Sequence, residues 1–150
     1  VVHPFAETIQ KQYLRKELIH KNPKVLPTFD LQTIKAIQTI GNQGDNRFET
    51  WFDALEFMKS EIDKKDYDIC LLGCGAYGLP LAAHIKRSGK KAVHLGGSLQ
   101  LLFGIRGARW ENSNYNATYN YSKLMNDFWV KPSATETPSK AQQVEEGCYW

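Results

Sequence analysis

Apolar positions divide the first part of the chain into alternating strands and helices. The pair Val1 and Val2 predicts the end of a strand, and apolar residues at helical spacing predict a helix over 5–18. The apolar positions of 31–40 fit the period of a helix and also that of a strand, and we favour a strand there. Residues 41–46 are polar and predict a loop, and an aromatic stripe over 48–64 predicts an amphipathic helix that faces the core.

The most regular passage of the chain comes next. A short apolar strand at 67–72 leads into the glycine-rich turn 73–78, and a helix from 78 to 88 precedes a second strand at 91–95. Such a strand, turn, helix and strand form a βαβ unit, whose strands are parallel. A short helix at 98–105 follows. We therefore expect an α/β fold, Rossmann-like with three layers, in which a mostly parallel sheet carries helices on both faces.

The length of the chain corresponds to one domain. It has 150 residues, and domains typically have roughly 100 to 200. We expect residues 1–110 to form the Rossmann-like core and residues 111–150 to form an irregular aromatic and polar extension that packs on it. Because the sequence opens on an apolar pair without an initiator methionine, we also expect the core to be the carboxyl-terminal part of a larger domain.

Composition excludes several classes of protein. The net charge of +3, from 19 basic and 16 acidic residues, is too balanced to indicate a nucleic-acid partner. No apolar run approaches the ~20 residues of a membrane span. Three cysteines, an odd number, and the lack of a signal segment argue against a disulfide framework, so we expect a cytoplasmic protein.

The glycine-rich turn is the leading candidate for a ligand site. In the pattern Gly73-x-Gly75-x-x-Gly78, the first glycine permits a tight bend, the second lets the backbone approach a ligand, and the third permits close packing of helix on strand. Unpaired N–H groups at the start of the helix favour an anion such as phosphate. Tyr77 lies within this turn and is included among the candidate ligand contacts. The same glycines would also permit a sharp turn that binds nothing.

Further candidates lie at the expected carboxyl edge of the sheet. His94, Gly96 and Gly97 follow the second strand of the βαβ unit, and no acidic residue stands there to bind the ribose of NAD, which disfavours a dehydrogenase. His3 follows the opening strand and would reach the same edge if that strand is parallel. A lone histidine near a strand end is more often structural than catalytic, so His94 is a candidate for the lining only. His3-Pro4-Phe5 is equally explained as a structural corner between strand and helix.

Two arginines and a tryptophan follow the short helix. Arg106 and Arg109 offer forked donors that suit phosphates, and Trp110 offers a flat ring that suits a base or a sugar. A surface arginine pair beside a packed tryptophan explains them equally well. No spacing of Cys and His suits zinc, and no acidic pair follows a strand, so we expect no metal site within this chain.

Four features follow one another between Asp66 and Trp110. They are a strand, a small-residue turn, a helix with the end pattern Lys86-x-x-Gly89-Lys90-x-Ala92, and a strand that ends His94-Leu95-Gly96. In this order they resemble the carboxyl-terminal part of the bacterial GT-D-type glycosyltransferase fold domains. His3-Pro4-Phe5 and residues 129–132 and 147–150 are also similar to recurrent pieces of uncharacterised bacterial proteins with this layout.

The resemblance implies binding of a nucleotide sugar and transfer of its sugar to a glycan or polysaccharide acceptor. A divalent cation, Mn²⁺ or Mg²⁺, would assist the diphosphate leaving group. The acidic metal motif of the family lies in its amino-terminal part and nothing here matches it, so a missing amino-terminal part would supply that cation.

An alternative function is a non-catalytic module that docks on a partner or on a second copy of itself. The aromatic residues of the extension favour it, because aromatic residues are enriched in the cores of interfaces. They are expected to be exposed and are Tyr115, Tyr119, Tyr121, Phe128 and Trp129.

Overall fold

The centre of the molecule is a parallel sheet. The structure, a computed structural model, describes residues 1–39, 45–143 and 145–150. Within these residues the sheet has four strands, which are β1 (Val2–His3), β2 (Ile34–Lys35), β3 (Ile69–Leu72) and β4 (Lys91–His94). Their order is β2-β1-β3-β4, and every pairing is parallel. The predicted α/β fold with a parallel sheet is confirmed.

Helices make the crossovers between the strands. They are α1 (Ala6–Tyr13), α2 (Trp51–Asp63) and α3 (Gly78–Arg87), and two short helices, α4 (Leu99–Leu102) and α5 (Ala108–Glu111), follow β4. Helix α2 begins at a capping box in which Thr50 and Asp53 exchange hydrogen bonds between side chain and backbone. Helix α3 is preceded by a 3₁₀ turn, Gly75–Tyr77, and ends before Gly89, whose φ of +78° suits a glycine. None of the helices in the described ranges is long and apolar enough to cross a membrane.

Two packed clusters lie on opposite faces of the sheet. Successive residues of a strand point to opposite faces: Leu72 joins the cluster beneath α2 and α3, whereas Leu71 contacts the cluster beneath α1 and α4. The largest fully buried members of the first cluster are Met58, Ile62, Leu72, Leu81 and Ile85, and those of the second are Phe5, Ile9, Ile19, Leu99, Phe103 and Ile105. Helices therefore cover both faces, as predicted.

The elements are shorter than the pattern predicts. The helix expected over 5–18 ends at Tyr13, and a 3₁₀ turn follows. The strand expected over 31–40 is paired at Ile34–Lys35 alone among its described residues. Its neighbour β1 is equally short because Pro4 has no N–H to donate to a ladder. Residue 40 of that expected strand, and residues 41–44 of the loop expected after it, lie outside the described residues.

The segment after α5 is irregular and packs on the second cluster. Trp129 is 2% exposed, and its indole N–H donates to the carbonyl of Ile19 at 3.0 Å. The expectation that Trp129 is exposed is therefore wrong. Tyr121 packs against the same cluster, whereas Tyr115, Tyr119 and Phe128 keep between 41% and 46% of their surface exposed.

Candidate functional site

A cavity of about 420 Å³ lies at the carboxyl ends of three strands. His3 of β1 lines it, together with residues 37–39 after β2 and residues 73–77 after β3. The chain leaves β1 towards β2 on one side and then crosses to β3 on the other, so the strand order reverses here. In open α/β sheets, ligands bind at such a reversal. Pockets for small molecules have volumes of about 300 to 1,000 Å³.

Gly73 lets the turn after β3 lie close to its neighbours. Its N–H donates to the carbonyl of Val2 at 3.0 Å, which continues the pairing of β3 with β1. A Cβ at Gly73 would lie 2.6 Å from Cδ2 of His3 and 2.9 Å from the carbonyl oxygen of Gly96. Both distances are below those of real Cβ contacts. The requirement for glycine at Gly73 is therefore one of close approach.

Gly75 has the left-handed backbone of this turn. Its φ is +55°, and no atom lies within 4 Å of the position that a Cβ would take. The structure records no hydrogen-bond acceptor for the N–H groups of Gly75 and Ala76 among the described residues. The start of the 3₁₀ turn before α3 therefore presents open backbone donors beside the cavity, as expected for the second glycine of the pattern.

His94 lies outside the cavity and serves the packing of α3. Its imidazole covers Gly78, where a Cβ would lie only 2.1 Å from Cε1 of the ring. Its Nδ1 is 3.1 Å from the carbonyl of Leu72, so Nδ1 carries the proton and donates it. Gly78, the third glycine of the pattern, therefore permits α3 to pack closely on the ring of His94. This contact is a structural role for His94.

His3 is the most buried titratable side chain that lines the cavity. It is 3% exposed, and its Nδ1 accepts the N–H of Phe5 at 3.0 Å. Burial lowers its pKa to about 3, against a smaller opposing effect of the Glu136 carboxylate. At neutral pH the ring is therefore uncharged, and its one proton is on Nε2.

Aromatic rings form much of the cavity wall. Trp51, at the start of α2, stacks on Tyr77 with the ring centroids 4.8 Å apart and the planes 8° from parallel. The hydroxyl of Tyr77 lies 3.2 Å from that of Thr39. The aromatic stripe predicts a core position for Trp51, and the ring both packs against the core and lines the cavity.

The chain supplies the opposite wall from residues close to 150. Tyr149 and Trp150 line the cavity, and the ring of Tyr149 covers Gly97, where a Cβ would lie 2.5 Å from Cε1 of the ring. The amide Nε2 of Gln100 donates to the carbonyl of Tyr149 at 3.2 Å. Of these four residues, the sequence pattern predicts Gly97 as a ligand contact and does not indicate Tyr149, Trp150 or Gln100. A single polar residue inside the apolar run of α4 was the one signal for Gln100.

The two arginines hold the last part of the chain to the core. Arg106 donates from Nε to the carbonyl of Trp129 at 3.0 Å. Arg109 donates to the hydroxyl of Tyr149 at 2.9 Å and pairs with the carboxylate of Glu145.

Trp110 and Gly96 also lie outside the cavity lining. Trp110 is buried against Tyr115 and Tyr121, and its indole N–H has no acceptor among the described residues. Gly96 has a φ of +58° and directs its carbonyl oxygen towards Gly73. Of the predicted contacts, the cavity therefore includes His3, Gly73, Gly75, Tyr77 and Gly97 but not Gly78, His94, Gly96, Arg106, Arg109 or Trp110.

Replacement of Arg106 by leucine tests whether this residue stabilises the fold without contacting a ligand. We expect the free energy of unfolding to fall by about 1 to 3 kcal/mol, because two backbone carbonyls lose a charged donor. The affinity for any small molecule that binds the cavity should stay within about threefold, which corresponds to less than 1 kcal/mol. Urea unfolding measures the change in stability, and calorimetric titration measures the change in affinity. A large loss of affinity with unchanged stability would mean that Arg106 contacts the ligand.

The cavity is neutral. Among its described lining residues there is no Lys, Arg, Asp or Glu, and His3 is uncharged. Over residues 1–39, 45–143 and 145–150, no group of three His, Cys, Asp or Glu side chains could hold a metal ion.

The molecule is thus a doubly wound α/β domain with a cavity at the reversal of its strand order. Comparison with models of protein families, with curated proteins and with solved structures gave no match for the chain.

Proposed function

We propose that the cavity binds a nucleotide sugar and that the domain takes part in transfer of the sugar to a glycan or polysaccharide acceptor. The single observation that carries the proposal is the open glycine turn at the switch point, beside a cavity lined with aromatic rings. The turn suits the phosphates, since backbone N–H groups at the start of a helix attract anions. The rings suit the base or the sugar.

The unpaired Nε2 of His3 supports a ligand at this position independently of the turn. The side chain is almost fully buried, yet its Nε2 has no acceptor among the described residues. Among the described residues, the one fully buried side-chain nitrogen or oxygen without a partner is Trp110 Nε1, so His3 Nε2 keeps accessible surface that a small molecule can reach. A ligand in the cavity would supply the acceptor.

The lining does not fit a divalent cation. Mg²⁺ and Mn²⁺ prefer carboxylate oxygens, and the described lining residues include none. The proposed role of this chain is therefore to bind and orient the nucleotide sugar.

Calorimetric titration with a panel of nucleoside diphosphates and nucleotide sugars, with and without Mn²⁺, tests the proposal. We expect at least one member of the panel to bind with a 1:1 stoichiometry. Absence of heat with every member, in both conditions, contradicts the proposed function.

Replacement of Gly75 by valine should separate binding from folding. The branched side chain would enter the open space beside the N–H groups, so we expect affinity for the nucleotide to fall by roughly tenfold or more. A positive φ should also cost about 1 to 2 kcal/mol of stability for any side chain.

Gly89 provides the matched control. It too has a positive φ and open space at its Cβ, but it lies at the other end of α3, away from the cavity. The valine variant at Gly89 should lose similar stability and no affinity. Normal binding by the Gly75 variant, with a lowered melting temperature, would assign the turn a structural role alone.

A further inference from the structure

Two buried side chains in the cavity wall each have one unused polar atom. The first is His3, whose Nδ1 accepts the N–H of Phe5 at 3.0 Å. Since Nδ1 is an acceptor in the neutral ring, the proton is on Nε2, which makes Nε2 a donor. Cδ2, the ring atom bonded to Nε2, is the atom that faces Gly73. Nε2 itself has no acceptor in the described part of the chain.

The second side chain is Gln100, which is 1% exposed. Its Nε2 is within hydrogen-bond distance of three backbone carbonyls, those of Ile105, Arg106 and Tyr149, at 3.3, 3.1 and 3.2 Å. Three acceptors around one atom fix the orientation of the amide, because a carbonyl can only accept. The amide oxygen of Gln100 is left without a donor among the described residues.

These two atoms lie in the wall of the same neutral cavity. His3 and Gln100 both line it, and no side chain among the described lining residues carries a formal charge. An ionised group that entered such a cavity would lose its hydration without an opposite charge to replace it. We therefore expect phosphates to bind at the open N–H groups of Gly75 and Ala76, and an uncharged part of the ligand to occupy the interior of the cavity.

We propose that the interior of the cavity recognises an uncharged ring bearing a hydrogen-bond acceptor and a donor, with His3 Nε2–H donating to the acceptor and the Gln100 amide oxygen accepting from the donor. This chemistry is shared by the base and the sugar of a nucleotide sugar. The proposal deepens the proposed function and rests on it for the nature of the ligand. It assigns His3 and Gln100 as the residues that determine specificity.

The test is calorimetric titration of wild-type protein and of the variant His3→Asn with four probes: uridine, N-acetylglucosamine, UDP and UDP-N-acetylglucosamine. Asparagine keeps an acceptor at the δ position for the N–H of Phe5, so the variant should fold, and it lacks the donor at Nε2. His94→Asn is the matched control, because His94 also follows a strand at this edge and does not line the cavity.

We expect His3→Asn to reduce affinity for the nucleotide sugar and for one of the two neutral probes by about tenfold, and His94→Asn to leave both within twofold. The neutral probe that responds identifies the ring inside the cavity. In wild type, the same probe should slow exchange of the His3 Nε2 proton and shift the ¹⁵N resonance of Nε2, which a merely structural histidine would not show.

The outcomes separate the two proposals. If UDP or the nucleotide sugar binds and His3→Asn binds it as tightly as wild type, the recognition proposal is overturned and the proposed function stands. If a neutral probe binds through His3 and the diphosphates add nothing, recognition of the ring stands and the nucleotide-sugar function is overturned. If no probe binds wild type, both are overturned.

Discussion

Replacement of Gly73 by alanine is expected to reduce the free energy of unfolding by about 3 kcal/mol or more, at the upper end of the usual cost of overpacking. The added methyl group would lie 2.6 Å from His3 Cδ2, 2.9 Å from the Gly96 carbonyl oxygen and 3.0 Å from Leu99 Cβ. Relief requires β1, the turn after β4 and the start of α4 to move apart together. For a chain of this length the loss corresponds to a fall in melting temperature of roughly 6 to 12 °C.

Alanine at Gly96 is the control for this prediction. Gly96 has a φ of +58° and open space at its Cβ, so its substitution adds backbone strain without a clash and should cost about 1 to 2 kcal/mol. Thermal unfolding of the two variants compares the effects directly. Equal losses would mean that backbone conformation, and not close approach, explains the glycine at Gly73.

Gly78 has the shorter contact but a smaller expected effect. A Cβ there would overlap the ring of His94, which is half-buried at the side of the sheet. A side chain in that position can rotate away at the cost of one hydrogen bond to Leu72, whereas the carbonyl oxygen of Gly96 cannot move without its backbone. The obstacle at Gly73 is therefore harder to relieve.

The parts of the fold that sequence predicted are those determined by local periodicity. Strand β3, the glycine turn, α3 and β4 follow one another within a short stretch, and apolar spacing places each of them to within a few residues. The turn therefore lies at the edge of the sheet where the cavity is found, and His3 lies there at the end of a second parallel strand.

The remainder of the site depends on contacts between distant parts of the chain. Tyr149 reaches the cavity because Gln100, Arg109 and the bare backbone of Gly107 hold it there. None of these contacts has a periodicity that a sequence pattern could reveal. For the same reason the sequence left open whether Arg109 binds phosphate or packs at the surface, and the structure pairs its guanidinium with Tyr149 and Glu145.

A second long-range contact joins the extension to α1, immediately beside His3. Glu136 is 2% exposed, and its carboxylate accepts the N–H groups of Glu7 and Thr8 at 2.8 and 3.3 Å. The hydroxyls of Thr8 and Ser133 also donate to it. Glu136 thus caps α1 from across the molecule, and its charge is favourable at the start of a helix.

The pKa values of Glu136 and His3 both fall on folding. Burial alone would raise the pKa of Glu136, but the hydrogen bonds from Thr8, Ser133 and the start of α1 outweigh it and hold the pKa below its ordinary value. Burial lowers the pKa of His3 from 6.5 to about 3. In each case the unfolded chain binds a proton more readily than the folded chain, so stability is lost as the pH falls.

The two groups act in successive pH ranges. His3 contributes stability that is complete above its unfolded pKa and declines by about 1.4 kcal/mol per pH unit below it, which amounts to about 2 kcal/mol between pH 7.5 and pH 5. Glu136 adds its loss below the ordinary pKa of a glutamate, as protonation removes the cap of α1.

We therefore expect acid to destabilise the protein in two stages, and substitution at each residue to remove one of them. Urea unfolding of wild type from pH 7.5 to pH 3 should show the free energy of unfolding falling with pH in the upper range, and this upper slope should be absent from His3→Asn, because asparagine does not titrate. The variant Glu136→Gln should be less stable than wild type at pH 7.5. It should keep the upper slope and lose the steeper fall of the free energy of unfolding at lower pH. An upper slope that persists unchanged in His3→Asn would mean that another group causes it and that folding does not lower the pKa of His3.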